Sequence, residues 1–182
     1  MSSTILGTNS PESDAAIAEL YPYYPVSTRK FVVLSICTLG LYEVYWAYKM
    51  WQRIQMRTHE KMSPGWRACF LILYNFSLFK EVQRDSIQRH VPASWNPNVL
   101  GLLLIFFSAT ARLPGGFWFI SIGSFLAFLP VLRTVNAINA TTQAAEGVNN
   151  EFSGANFIVI LIGGLMLLLA IVGTFMLKIP IP

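Results

Sequence analysis

Among the side chains able to do chemistry, one carboxylate is oddly placed. In TLGLYEVYWAYKMWQR, residues 38–53, Glu43 follows the helix-breaking Gly40 and stands in an aromatic run. Its i±3 and i±4 neighbours are Leu39, Gly40, Trp46 and Ala47, so no cation of its own helix can pair with it. An ionisable group inside an apolar segment is a candidate proton or ion site; solvation at headgroup level is the plainer alternative. His59, Glu60, Asp85 and His90 are donor types that zinc or iron accepts. No ligand signature joins them, and the adjacent His59 and Glu60 diverge on a helix, so two solvated histidines in polar loops are the simpler reading. No GxSxG turn, phosphate-binding glycine loop or dinucleotide fingerprint is present. The expectation is a non-enzymatic chain with no catalytic, cofactor or metal site.

The elements that must position Glu43 are set by composition. Of 182 residues 54% are apolar and only 12% charged, and mean hydropathy is +0.50. Soluble domains carry roughly twice that charge, so much of this surface faces something other than water. Residues 157–177 form an uncharged run of 21 residues, long enough as a helix to cross a bilayer of about 30 Å. The net charge of +4 suits contact with anionic headgroups and is too small and dispersed for nucleic acid. Residues 1–24 hold Glu12, Asp14 and Glu19 without an apolar core, which predicts a polar cytoplasmic tail rather than a signal peptide. Cys37 and Cys69 lie in apolar segments and read as buried small hydrophobes.

Five apolar segments appear, at 31–48, 68–79, 99–111, 117–132 and 157–177. The Pro-Gly turn in RLPGG (112–116) joins the third and fourth as an antiparallel hairpin, with Pro130 expected to kink the second arm. Gly163, Gly164 and Gly173 suit close helix packing. The formal glycosylation sequon at Asn139 reads as chance, inside a polar connection over 136–155. Positive charge collects on the cytoplasmic side. If the first two segments dip into the membrane and return, eleven of the thirteen Lys and Arg lie inside, leaving Arg112 and Lys178 outside. If 31–48 crosses instead, the division is nine against four. The fold expected is therefore an all-α integral membrane protein with three crossings (98–112, 116–133, 156–177) and two short re-entrant or interfacial elements over 25–92. Four to five crossings are the alternative.

On a helical wheel Lys49, Arg53 and Arg57 share one side of 41–57, opposite Val44, Ala47, Met50, Trp51 and Ile54. With Tyr42, Tyr45, Trp46, Tyr48 and Trp51, which are residue types of the headgroup level, this predicts an amphipathic interfacial helix entered through the Gly40 bend. A longer tilted transmembrane helix is the competing reading. YKMWQR (48–53) and FKEVQR (79–84) share aromatic-Lys-x-x-Gln-Arg, and LGLY (39–42) matches LILY (71–74). A weak internal repeat of dip plus basic helix results, and it adds Lys80 and Arg84 to the lipid-facing cations.

The stretch STRKFVVLSICTLGLYEVYWAYKMWQRI (27–54) resembles a family of small bacterial inner-membrane proteins of unknown function. Its hallmark is matched by Thr38, Leu39, Gly40, Leu41, Tyr42, Tyr45, Trp46, Tyr48 and Lys49. The resemblance implies a bacterial inner-membrane location and transfers no activity. Glu43 falls on a variable position of that hallmark. The function expected is that of an accessory or assembly subunit, or a lipid-contacting scaffold, whose partners are anionic lipids and another membrane protein or itself. A small transporter or channel using Glu43 is the rival.

Overall fold

The computed structural model describes residues 22–114, 116–142 and 151–176, and these are all-helical, without a strand. The polar tail expected over 1–24 lies outside the described residues up to position 21, as do Lys178 and residues 143–150 of the 136–155 connection.

The chain opens with two helix–bend–helix units. In the first, α1 (Thr28–Cys37) is capped by Ser27, whose side chain accepts from the Lys30 amide. It ends where Leu39 and Gly40 take left-handed φ values of 52° and 89°. The Gly40 amide donates to the Ser35 carbonyl and the Leu39 amide to that of Ile36, closing the last turn in a Schellman arrangement. The chain reverses there into α2 (Leu41–Thr58), so the apolar run 31–48 is two helices joined at the glycine. In the second unit Ser63 caps a one-and-a-half-turn α3 (Pro64–Cys69), with Pro64 in its first turn. A single bend residue, Phe70, leads into α4 (Leu71–Gln88), which also ends in a left-handed residue, His90.

After Asn96 caps it, α5 (Pro97–Thr110) runs to the Pro-Gly turn. The returning arm starts as a 3₁₀ helix (Phe117–Ser124) and continues as α6 (Phe125–Ala140). The change of helix type lies at 124–125, while Pro130 sits within α6. The last element is α7 (Gly154–Met176). Phe117–Ala140 and Asn156–Thr174 are long and apolar enough to cross a membrane. By contrast α5, at 14 residues or about 21 Å, falls short of that length.

Aromatic rings tie the units to the hairpin. Trp46 of α2 is fully buried, with Phe31 of α1 at 5.6 Å and Phe128 of α6 at 5.8 Å between ring centres, and Phe79 of α4 meets Phe128 at 5.5 Å. Such tilted and edge-on contacts add roughly 1 kcal/mol each beyond their area. Each unit also meets a glycine of a long helix. A Cβ at Gly163 of α7 would overlap the Cys37 carbonyl oxygen, and one at Gly101 of α5 would overlap the Phe76 ring and the Asn75 side chain.

Candidate functional site

The two bends face each other across a cavity of about 280 Å³ lined by Leu39, Gly40, Glu43, Cys69, Leu71, Ser108, Ser121 and Ser124, among others. Glu43 is 4% exposed. Its Oε1 accepts a 2.6 Å hydrogen bond from the Ser124 hydroxyl, 81 positions away in the chain. A side chain at Gly40 would begin in ordinary contact, 3.8 Å from Glu43 Oε2 and 3.8 Å from Ser124 Oγ, so it is the left-handed φ of 89° rather than space that asks for glycine here. Ser121 and Ser124 stand three apart in the 3₁₀ helix, where residues at that spacing eclipse one another. The Ser121 hydroxyl donates to the Trp118 carbonyl at 2.7 Å. Among the described residues no Lys, Arg or His forms an ion pair with Glu43.

A second cluster forms where α2 and α4 end. Arg57 donates to Asp85 at 2.8 Å, to Glu81 at 3.3 Å and to the Tyr23 hydroxyl at 3.2 Å, with its guanidinium 4.9 Å from the Tyr23 ring centre. Arg89 holds the other Asp85 oxygen at 3.0 Å and Arg84 pairs with Glu81 at 2.6 Å. Burial pushes the Tyr23 phenol well above its ordinary pKa, against the opposing pull of Arg57, so it keeps its proton. Tyr23 is anchored through its backbone: Asn139 accepts from its amide and donates to its carbonyl, both at 3.1 Å. The sequon asparagine is thus a buried structural group.

Burial divides the residues expected at the lipid interface into two groups. Tyr42, Trp46 and Trp51 are packed inside the bundle: Phe31 of α1 meets Tyr42 and Trp46, Phe128 of α6 meets Trp46, and Arg67 of α3 lies over the Trp51 ring. Arg57 is committed to Asp85 and Glu81. Tyr45, Lys80 and Arg84 are exposed, and Tyr48, Lys49 and Arg53 are half-buried, with the Lys49 ammonium 5.9 and 5.8 Å from the Tyr45 and Tyr48 ring centres. Cys69 is exposed and Cys37 half-buried, so neither is the core residue expected. Of the four metal-type residues, His59, Glu60 and His90 are exposed and Asp85 is held by two arginines. Among the described residues no group of three or more His, Cys, Asp and Glu could hold a metal.

Ser124, Ser121 and Tyr23 escaped the reading of the sequence. The serines carried a usable signal, two hydroxyls three apart within an apolar run. A groove of about 780 Å³ between α1, α2 and the start of α7 was not legible at all. Lys30, Ser153 and Asn156 line it together with Leu34, Leu41, Tyr42 and Val159. There the Lys30 ammonium donates to the Glu151 carbonyl at 2.7 Å.

Residues 26–127 match a family described as a domain of unknown function, DUF4234. No curated protein and no solved structure matches the chain.

Proposed function

The chain belongs to the DUF4234 family, and from that footing we propose a non-enzymatic multi-pass protein of a bacterial inner membrane, acting as an accessory or assembly subunit or a lipid-contacting scaffold. The observation that carries this reading is α7. Over Asn156–Thr174 it is uncharged and strongly apolar, and none of its most apolar window is buried against the rest of the chain. In water such a surface would cost on the order of 1.5–3 kcal/mol for each large side chain left uncovered. Lipid tails, or the helix of another membrane protein, would cover it.

Three crossings are proposed: α5, the 3₁₀ helix with α6, and α7. The two bent units enter from the cytoplasmic side and return at mid-depth, with the N-terminus cytoplasmic. The register of α1 supports this. It is 10 residues, about 15 Å, or half the hydrocarbon thickness. Its end meets Gly163, near the middle of the 23-residue α7. Arg53 and Arg57 of α2, Arg84 and Arg89 of α4, and Arg133 of α6 then share one membrane face, as the positive-inside rule requires. The headgroup contacts fall to Tyr45, Tyr48, Lys49, Arg53, Lys80 and Arg84, each cation contributing about 1 kcal/mol near an anionic surface. The groove that runs from Lys30 to Leu41 offers a polar and an apolar end to a lipid.

The test is sidedness. In a chain lacking Cys37 and Cys69, single cysteines at Lys61, Ser94 and Leu113 are exposed to a membrane-impermeant thiol reagent in intact cells and inverted vesicles. Positions 61 and 94 should react from the cytoplasmic face and 113 from the other. Labelling of 61 and 94 from opposite faces would mean that the second unit crosses, and the proposal fails.

A further inference from the structure

We propose that the cavity between the two bends binds an alkali-metal cation, with Glu43 as its charged ligand and Ser121 and Ser124 as neutral oxygen ligands. The inference rests on the membrane reading only for the depth of the cavity; the chemistry rests on the side chains.

A carboxylate removed from water must be neutralised, because an isolated buried charge costs many kcal/mol. Three neutralisers exist: a cationic side chain, a proton, or a bound ion. The first is absent, since no Lys, Arg or His among the described residues pairs with Glu43. A proton needs no space around it. Here the carboxyl lines a cavity of about 280 Å³, room for an ion with several waters at roughly 30 Å³ per water.

The lining also favours an ion. The polar side chains that line it are oxygen donors, Glu43 with Ser108, Ser121 and Ser124. Two of the hydroxyls already direct their hydrogens elsewhere, Ser124 to Glu43 and Ser121 to the Trp118 carbonyl. Each therefore retains oxygen lone pairs for a hard cation. One carboxylate supplies one negative charge, which balances a monovalent ion; calcium sites gather several carboxylates. Nitrogen and sulfur ligands suited to transition metals are limited to Cys69. The chain is also interrupted on one side of the cavity, at Gly40, while the opposite wall changes from 3₁₀ to α helix at Ser124 without a break. Broken helices at mid-depth are where membrane proteins place ion ligands without leaving backbone groups facing lipid.

The experiment uses the full chain in detergent micelles. Thermal unfolding is followed in sodium, potassium, lithium and choline chloride at equal ionic strength. At least one alkali chloride should raise the midpoint saturably above that in choline, and Glu43→Gln, which keeps the shape and removes the charge, should abolish the difference. Ser121→Ala should shift half-saturation about ten-fold to higher concentration, and it carries the test where Glu43→Gln does not fold. Equal midpoints in all four salts would overturn the proposal and leave Glu43 as a neutral acid bonded to Ser124. A cation response unchanged in both variants would place the ion elsewhere and overturn it as well. Neither outcome depends on sidedness, so this proposal and the topology fail separately.

Discussion

The two helix–bend–helix units carry one sequence pattern and use it differently. Each has an 18-residue second helix opened near Leu-x-Leu-Tyr and followed by a polar residue, Glu43 in one and Asn75 in the other, both buried. The first unit reaches its bend through a full α1 and turns on two left-handed residues. The second does so through six residues and turns on Phe70 at φ −98°, a conformation open to any side chain. A tight left-handed reversal brings backbone close to a neighbour, and the first unit accordingly touches α7 through the Cys37 carbonyl. The looser bend brings side chains, and the second unit meets α5 through Phe76 and Asn75. The contrast teaches that a repeat can conserve length and polarity while the bend decides what each copy can grip.

The largest effect that would break this comparison lies at the two glycines. Gly163→Ala sets a Cβ against a peptide carbonyl that cannot rotate away, and α7 must move off α1; the expected cost is about 2–3 kcal/mol. Gly101→Ala meets side-chain rather than backbone atoms, the Phe76 ring and the buried Asn75 amide, and alanine is the better helix former, so a smaller cost of about 1–2 kcal/mol is expected. Detergent-phase unfolding of the two variants measures the difference. Equal costs would mean that both seats are equally rigid and that bend geometry is irrelevant to the grip.

A smaller effect tests how the units hold each other. Arg57 of the first unit joins Glu81 and Asp85 of the second, with a quarter of its side chain exposed. Arg57→Ala leaves the nearly buried Asp85 with only Arg89, and a loss of about 2 kcal/mol is expected after allowing for solvent at the arginine. Arg84→Ala removes a pair whose arginine is 67% exposed, and less than about 0.5 kcal/mol should follow. If both variants lose the same stability, the cluster is a surface network rather than a clamp between units.

What the sequence revealed of all this was local. The break at Gly40, the Pro-Gly turn and the long terminal helix were legible because glycine, proline and an uncharged run each act on their own neighbourhood. The spacing of Lys49, Arg53 and Arg57 does describe one face of α2. Which face meets lipid was not legible, since tryptophan and tyrosine suit a core and an interface equally, and Phe31 and Phe128 claim Trp46 from outside its helix. The partner of Glu43 was hidden for a similar reason, because nothing near position 43 points to Ser124. Arg57 was partly legible: Glu81 and Asp85, four apart, form an acidic stripe on α4 that could have been matched to it.

The smallest effect sharpens the clamp from its edge. Tyr23 lies between Arg57 and the Asn139 anchor, and its phenol is held above its ordinary pKa, chiefly by burial. In the unfolded chain it ionises near about pH 10. Above that pH the unfolded state has lost a proton that the fold retains, so stability must fall as pH rises. The contribution of Tyr23 is therefore complete below about pH 10 and lost progressively above it. Tyr23→Phe removes one hydrogen bond from Arg57 and should cost about 0.5–1 kcal/mol at pH 8. Its unfolding midpoint should also decline less steeply than that of the unaltered chain between about pH 10 and pH 11. Parallel declines would show the phenol titrating freely in the fold. Tyr23 would then be a lid resting on the cluster, and the hold between the two units would belong to Arg57 and its two acids alone.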